Sequence, residues 1–312
     1  MNLAMNEFVQ TIKQTFKEVD LVLGWVRSPA AGVAVPACFH TPAQADDAVF
    51  DSTCMHNLVV HLPRLAGKKV GIVAKGCDAR SIAQLVAEHA VDRSRVIVIG
   101  VHCPGMIDVK KAWRCFGFGK RISDAGGRVA MEGKTVAREE VLLQKCRGCR
   151  DWEPVICDVT AGGATKAATA PPAEPAGIRK RFAAMSPAER RQFWQDQFSR
   201  CIRCYACREA CPLCFCRDQC AMQARDPGWA TAAIDASQSW MAQLIRISHM
   251  AGRCSGCEEC ERACPVGIPL MLLLEEQNAV IEELFGYRAG AGPEVKPPLL
   301  TFNIKDDAWG ES

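Results

Sequence analysis

Nineteen of the 312 residues are cysteines, and eight of them form two runs with one shared spacing. The runs are Cys201-x2-Cys204-x2-Cys207-x3-Cys211-Pro212 and Cys254-x2-Cys257-x2-Cys260-x3-Cys264-Pro265. Three thiolates from one tight loop can hold an iron-sulfur cubane, and the proline ends the loop after the fourth cysteine. Structural zinc sites pair two C-x2-C knuckles instead. The spacing therefore predicts two [4Fe-4S] clusters rather than zinc sites or a disulfide framework.

The fourth cysteine of each run predicts crossed ligation. In two-cluster ferredoxins this cysteine binds the cluster of the other run. One cluster is therefore assigned to Cys201, Cys204, Cys207 and Cys264, and its neighbour to Cys254, Cys257, Cys260 and Cys211. Three more cysteines, Cys214, Cys216 and Cys220, follow the first run and lie outside the pattern. They are either apolar packing residues or an extra ligand set.

The sequence around the two runs predicts helices. Ser186-Pro187-Ala188-Glu189 is a capping box that opens a helix with Phe193, Trp194 and Phe198 on its apolar side. The stretch from Ser239 to Met250 carries Met241, Leu244, Ile245 and Ile247 at helical spacing, and an amphipathic helix from Leu270 to Phe285 ends at Gly286. With these flanks, about 100 residues resemble the α-helical ferredoxins, such as the C subunit of heterodisulfide reductase and the C-terminal part of the succinate dehydrogenase iron-sulfur subunit.

The first half of the chain has a different pattern. Apolar strands are expected at 69–74 and 96–101, with a turn at 76–78 and a helix at 81–91 between them, which is a βαβ unit with parallel strands. We therefore predict an α/β domain with a mostly parallel sheet at 1–160. A linker rich in Ala, Gly, Thr and Pro follows at 161–180, then an α-helical dicluster ferredoxin domain at 181–290 and an extended tail at 291–312.

Further cysteines follow the two predicted strands. Cys77 comes after the first strand and Cys103 after the second, so both should lie at the carboxyl edge of the sheet, where open α/β folds place their sites. A later pair, Cys146-x2-Cys149, could complete a set of four thiolates. Cys54 is a rival fourth ligand.

These residues resemble the β-subunit family of coenzyme F420-reducing hydrogenases and dehydrogenases. The resemblance lies in Gly76-Cys77, in Gly100-Val101-His102-Cys103, and in Cys146-Arg147-Gly148-Cys149 followed by the segment DVTAGG at 158–163. It implies that Cys77, Cys103, Cys146 and Cys149 hold a third [4Fe-4S] cluster, with buried or zinc-bound thiols as the alternative. It also implies that the chain binds FAD. This expectation rests on the resemblance alone, because no nucleotide-binding glycine motif follows a strand in this sequence. Cys38, Cys115 and Cys157 are expected to be packing residues.

The leading interpretation is an iron-sulfur electron-transfer subunit of a multi-subunit redox complex of anaerobic metabolism. Its partner would be a formate dehydrogenase, a hydrogenase or a heterodisulfide-reductase-A-like flavoprotein. The alternative is a FAD-containing oxidoreductase subunit that exchanges hydride with F420 or NAD(P) and passes electrons to the clusters. A redox-sensing or scaffold protein is a third possibility.

Composition narrows the remaining options. A net charge of +3, from 38 basic and 35 acidic residues, leaves no nucleic-acid footprint. The longest apolar stretches are far below the roughly 20 residues that span a bilayer, so no direct membrane insertion is expected. Residues 1–20 have the pattern of an amphipathic helix without the apolar core of a signal peptide, which predicts a cytoplasmic protein.

Overall fold

The computed structural model describes residues 3–119, 121–125, 127–162, 177–216, 220–224, 228 and 230–301. The chain divides into two compact units, Met1–Arg80 with Asp92–Ala184, and Ser81–Val91 with Met185–Ser312. Most of the predicted linker, at 163–176, and the end of the predicted tail, at 302–312, lie outside the described residues.

The first unit is α/β. In chain order it contains α1 (Leu3–Thr15), β1 (Leu21–Arg27), β2 (Ala34–Phe39), β3 (Val70–Ala74), the start of α2 (Gly76–Ala87), β4 (Val96–Gly100), α3 (Val109–Phe116), β5 (Ser123–Ala125), β6 (Arg128–Met131), β7 (Lys134–Ala137), α4 (Arg138–Val141), β8 (Val159–Thr160) and α5 (Gly177–Ala184). Short 3-10 helices lie at Pro42–Asp47, Leu58–Leu65, Arg93–Arg95 and Gln144–Cys146.

A five-stranded sheet of order β2-β1-β3-β4-β8 forms the core of this unit. Only the β1–β2 pair is antiparallel; β1–β3, β3–β4 and β4–β8 are parallel. Every residue of β3 is buried, as expected of an apolar strand in the middle of a parallel sheet. The predicted βαβ unit and the mostly parallel sheet are confirmed.

Helix α2 begins earlier than the sequence suggested. The segment 76–78, predicted as a turn, is the first turn of the helix. The Asp78 carboxylate accepts a hydrogen bond from the Lys75 backbone N–H at 3.2 Å, which satisfies a donor left over at the helix start. The helix ends before His89, whose left-handed φ of 56° stops it. Cys77 therefore lies on a helix that follows β3 directly.

The second unit is helical. It contains the later part of α2 and then α6 (Pro187–Ser199), α7 (Ala206–Glu209), α8 (Ala236–His249), α9 (Glu259–Ala263), α10 (Leu270–Phe285) and a 3-10 turn at Pro298–Leu300. The predicted capping box at Ser186 and the predicted end of α10 at Gly286 are confirmed. None of the residues described in this unit forms a strand. No helix in the described ranges is long and apolar enough to cross a bilayer.

Aromatic packing joins α6 to α8. The ring centroids of Trp194 and Phe198 are 5.5 Å apart, and those of Phe198 and Trp240 are 5.2 Å apart. Trp194 and Phe198 are buried, so they contribute most of the apolar area in this contact. The contact fixes α8, which carries the side chains that face the thiols.

Candidate metal centres

One pocket of the second unit is lined by four cysteines. Cys201, Cys204, Cys207 and Cys264, here called the first thiol set, border about 430 Å³ of empty space that is partly open to solvent. These are the four residues that crossed ligation predicts for one cluster. Burial raises the pKa of Cys207, and its interaction with the Cys201 and Cys264 thiols raises it further. Thiols from both runs therefore meet in one pocket.

The second thiol set is Cys211, Cys254, Cys257 and Cys260, all of them buried. Burial raises the pKa of Cys260 most strongly, and among the thiols that add to this are Cys211 and Cys254. Cys211 likewise raises the pKa of Cys254. Cys257 lies in the same loop, between Cys254 and Cys260. The thiol of the first run thus lies among those of the second, as crossed ligation requires.

Two short helices interleave the sets. Cys207 lies on α7 and Cys211 just beyond its end, so this helix contributes to both sets; Cys260 and Cys264 do the same on α9. Helices α7 and α9 pack against each other. The two sets are therefore neighbours held by one helix pair.

The two cysteine loops share an unusual backbone. Arg203 and Gly256, each directly before the second cysteine of its run, have φ of 50° and 73°. Tyr205 and Glu258, each directly after that cysteine, have φ of 58° and 62°. A left-handed conformation costs a non-glycine residue roughly 1–2 kcal/mol, so it persists only where the surroundings enforce it. The repetition at matching positions indicates that both loops are shaped for the same kind of ligand.

The face of α8 that points inward is polar. Ser239, Gln243 and Arg246 are 1%, 3% and 3% exposed and recur at helical spacing. The Gln243 amide donates to Cys207 Sγ at 3.5 Å. The Ser239 hydroxyl, Gln243 Oε1 and all three Arg246 guanidinium nitrogens are buried and have no oxygen or nitrogen partner within the described part of the chain. Buried polar atoms are normally paired, so the unpaired donors, the Ser239 hydroxyl and the Arg246 guanidinium, fit an acceptor such as cluster sulfur beside the thiols.

The apolar residues that predicted this helix are not its buried face. Met241 and Leu244 are 45% and 36% exposed, and only Ile247 of the four is buried. The helix itself is confirmed. Ser239, Gln243 and Arg246 were not predicted from the sequence, because apolar periodicity identified the opposite face of the helix as the buried one. The signal that could have found them is the spacing of polar residues at i, i+4 and i+7 between two cysteine runs.

The first unit brings three of its predicted ligands together. Burial raises the pKa of Cys103 well above its usual range, and the Cys146 and Cys77 thiols raise it further. Burial is also the main cause that raises the pKa of Cys77 to about 12. Cys149 follows in the same turn as Cys146, whose carbonyl accepts from Cys149 N–H at 3.4 Å. We call Cys77, Cys103, Cys146 and Cys149 the third thiol set.

Backbone pairing positions the loop that carries Cys146 and Cys149. Leu143 N–H donates to Met106 O at 2.9 Å, and Met106 N–H donates to Cys146 Sγ at 3.3 Å. Cys103 N–H donates to Trp152 O at 3.1 Å. The segment after β4 is therefore held against the segment 142–152, which places Cys103 beside the later cysteine pair.

Two lysines lie next to this set. Lys145 Nζ is 4.0 Å from Cys77 Sγ. Lys75 is fully buried; its Nζ is 2.7 Å from Asp78 Oδ2, donates to His56 O at 2.9 Å, and lies 4.3 Å from the Trp25 ring centroid. Both lysines act to lower the pKa of Cys77 against the effect of burial. Positive charge at this position suits thiolates and an anionic cluster.

The cysteines outside the three thiol sets differ in how exposed they are. Cys54 is fully buried; its thiol accepts from Asp51 N–H at 3.4 Å and contacts Val49 O at 3.8 Å. Cys38, Cys115 and Cys157 are exposed, so their prediction as packing residues is wrong; Cys38 lies on the edge strand β2 and Cys115 on the outer side of α3. The interpretation as a packing residue is also wrong for Cys216, which is exposed. Cys220, in contrast, packs against Met222, Ala230 and Ala242.

Known proteins resemble this chain in both parts. A family model described as a 4Fe-4S dicluster domain matches residues 197–268. The F420-dependent formate dehydrogenase subunit beta of Methanocaldococcus jannaschii is 26% identical over 77% of this chain and 78% of its own length. The F420-dependent formate dehydrogenase 1 subunit beta of Methanococcus maripaludis is 24% identical over 75% of this chain and 76% of its own length.

Among solved structures, a chain of the F420-reducing [NiFe] hydrogenase complex from Methanosarcina barkeri aligns with a TM-score of 0.36 at 15% identity. The alignment covers 48% of this chain and 59% of that chain, which is less than two thirds of its length. The chain is thus similar over about three quarters of its length to beta subunits named F420-dependent formate dehydrogenase, and residues 197–268 match a 4Fe-4S dicluster domain.

Proposed function

We propose that this chain is an iron-sulfur electron-transfer subunit of a multi-subunit redox complex and relays single electrons through [4Fe-4S] clusters. The observation that carries the proposal is the convergence of eight thiols into two interleaved sets on the helix pair α7 and α9. When bound, such clusters supply one-electron chemistry. The chain itself contributes ligands, burial and nearby charge, which set the reduction potentials.

The geometry favours transfer between neighbouring clusters. Because each short helix supplies one thiol to each set, two bound clusters would be adjacent and covalently linked through a few residues of backbone. All four thiols of the second set are buried, so that site is shielded from water and from oxidants. The first set lines a pocket that is partly open, which supports it as the point where electrons enter or leave the unit.

We further propose that the third thiol set holds a third [4Fe-4S] cluster. The support is the electrostatic proximity of Cys77, Cys103 and Cys146, the turn that keeps Cys149 beside Cys146, and the two lysines nearby. Three cubanes correspond to about 12 iron atoms per chain and two to about 8. A Cys146→Ser, Cys149→Ser double variant is expected to lose about four iron atoms and keep the rest. Unchanged iron content in this variant would contradict the proposal of a third cluster.

The partner is proposed from the relatives' names. Both are subunits of formate dehydrogenases, so the partner of this chain would be a catalytic subunit of that kind, a hydrogenase, or a heterodisulfide-reductase-A-like flavoprotein, working in the cytoplasm. The test uses the native complex, purified anaerobically and frozen within one turnover. Electron paramagnetic resonance (EPR) should detect reduced clusters after the catalytic subunit receives its substrate. Clusters that stay oxidised throughout turnover would contradict the proposal.

A second candidate function is favoured by one observation: both relatives are named F420-dependent. In this candidate, FAD in the first unit exchanges hydride with F420 or NAD(P) and splits the electron pair for the clusters. Acid extraction of the anaerobically purified complex, followed by flavin analysis of the separated subunits, distinguishes the two. Stoichiometric FAD on this chain supports the second candidate, and a flavin-free, fully iron-loaded chain supports the relay alone.

A further inference from the structure

Arg246 is the least satisfied charged side chain among the described residues. It lies on the inward face of α8, is 3% exposed, and its Nε, Nη1 and Nη2 atoms are all buried with no oxygen or nitrogen acceptor in the described ranges. A hydrogen bond from Arg246 acts to lower the pKa of the buried Cys211 thiol. An unpaired buried charge is costly, and removing the partner of such a charge typically costs several kcal/mol. A folded protein retains this arrangement only where something else pairs with the guanidinium.

The groups around Arg246 are thiols of both sets. Burial acts to lower the pKa of Arg246, but the pKa is raised well above its usual value by Cys260, Cys211, Cys214 and Cys207. Cys207 belongs to the first set, and Cys211 and Cys260 belong to the second. The guanidinium therefore interacts with thiols of both sets.

Three other arginines of this unit are already paired with carboxylates. Arg253 Nη2 is 2.6 Å from Glu88 Oε2, and Arg208 and Arg262 contact Glu209 and Glu259. No carboxylate is recorded within salt-bridge distance of Arg246 in the described part of the chain. Its counter-charge must come from the thiolates and from what they bind.

We propose that Arg246 donates hydrogen bonds to sulfur atoms of both clusters of the dicluster domain and raises both reduction potentials. This inference rests on the proposed function, because it requires the two thiol sets to hold clusters. A guanidinium offers five N–H donors in a rigid fork, enough to reach acceptors on two sides at once. One Arg246 side chain would thus serve both clusters of the pair.

The expected direction follows from charge. Reduction adds one negative charge to a cluster, and a fixed positive charge in a poorly solvated position stabilises the reduced form more than the oxidised form. Hydrogen bonds to cluster sulfur act in the same direction. Because the guanidinium is shared, removing it should affect both clusters of this domain and leave the third thiol set unchanged.

The first experiment is an anaerobic redox titration followed by EPR on wild-type protein, Arg246→Gln, Arg246→Lys and Arg191→Gln. Arg191 is an exposed arginine on α6 and serves as the matched control. For Arg246→Gln we expect the reduced-to-oxidised ratio of both clusters at a fixed potential to fall at least tenfold, which corresponds to about 59 mV for a one-electron couple. Arg246→Lys keeps the charge and should shift less; the control should not shift. Unchanged potentials in iron-loaded Arg246→Gln would overturn the inference.

The second experiment does not depend on a variant that folds. Wild-type protein carrying nitrogen-15 arginine is reduced and studied by pulsed EPR. We expect hyperfine coupling between guanidinium nitrogen and both reduced clusters of the domain. Absence of nitrogen-15 coupling in the iron-loaded wild type would overturn the inference even if every Arg246 variant loses its clusters.

The two failures are distinguishable. Material without iron would refute the proposed function itself. Iron-loaded material whose clusters show neither the coupling nor the potential shift would refute only the role of Arg246.

Discussion

The Gly76→Ala substitution tests how the third thiol set is assembled. Gly76 is the first residue of α2, directly before Cys77. A Cβ at this position would lie 1.8 Å from the Asp151 carbonyl oxygen and 2.9 Å from the Glu153 carbonyl oxygen. Both obstacles are backbone atoms, so no side-chain rotation can relieve the clash. The segment 149–153 would have to move away from the start of the helix.

The size of that movement decides the outcome. Ordinary contact begins at about 3.4 Å, so the Asp151 carbonyl must retreat by about 1.6 Å. Alanine at a helix position gains at most about 1 kcal/mol over glycine, whereas overpacking costs about 1–3 kcal/mol and occasionally more. The movement would also strain the Arg80–Asp151 ion pair, with an N···O distance of 3.1 Å, and the Cys103 N–H to Trp152 O bond. The net effect should be destabilising.

The assay combines iron content with thermal unfolding. Because Cys149 lies two residues before Asp151, its displacement should open the third thiol set. We expect Gly76→Ala to lose about four iron atoms per chain and retain about eight in the dicluster domain. The melting temperature of the first unit should fall, while the EPR signals of the dicluster domain persist.

Gly292→Ala is the matched control. Its added Cβ meets only Val295 at 3.7 Å, an ordinary contact, so iron content and stability should equal those of the wild type. Full iron content together with unchanged stability in Gly76→Ala would show that the segment 149–153 does not pack against the start of α2 as the structure has it.

Three further predictions concern the ligand assignment and the support of the clusters. Cys211→Ser should damage the cluster held by the Cys254 run and leave that of the Cys201 run mostly intact in EPR; loss of the Cys201-run signal alone would contradict crossed ligation. Cys54→Ala should keep all its iron and lower the free energy of unfolding by about 1–2 kcal/mol in a denaturant titration, because Cys54 is buried and bonded to Asp51; loss of four iron atoms would make it a ligand instead. Trp194→Ala should lower the free energy of unfolding by about 3–5 kcal/mol and release the iron bound by the first and second thiol sets, since this ring holds α6 against α8. A variant that keeps this iron and unfolds at the wild-type melting temperature would contradict that role.

The fold could be predicted where local pattern and tertiary environment agree. The parallel β3–α2–β4 unit follows from two apolar strands around a helix, and α10 begins and ends as its pattern predicts. The three-stranded antiparallel sheet of β5, β6 and β7 was not predicted. Its strands are only three or four residues long, too short for apolar alternation to be recognised in the sequence, although β6 buries Val129 and Met131 on one face. The hairpin at Glu132-Gly133, both with positive φ, was the available local signal.

The site could be predicted from spacing but not from periodicity. Cysteine spacing predicted the first and second thiol sets, and the pocket of the first set contains the four residues that crossed ligation assigns to it. The third thiol set was implied only by the family resemblance. The polar face of α8 could not be read this way, because a helix that packs against a cofactor buries donors rather than methyl groups. Met241 and Leu244 therefore pointed to a face that is exposed. Apolar periodicity identifies a buried face only where a helix packs against other apolar side chains. The buried face of α8 instead packs against the thiols that are proposed to bind clusters.

The most direct test of the account is a count of iron and acid-labile sulfide in anaerobically prepared protein, combined with Mössbauer spectroscopy. We expect about 12 iron and about 12 sulfide per chain, with cubane parameters throughout. Fully folded protein that contains neither iron nor sulfide, or that contains zinc in their place, would contradict the central claim that these thiols hold [4Fe-4S] clusters.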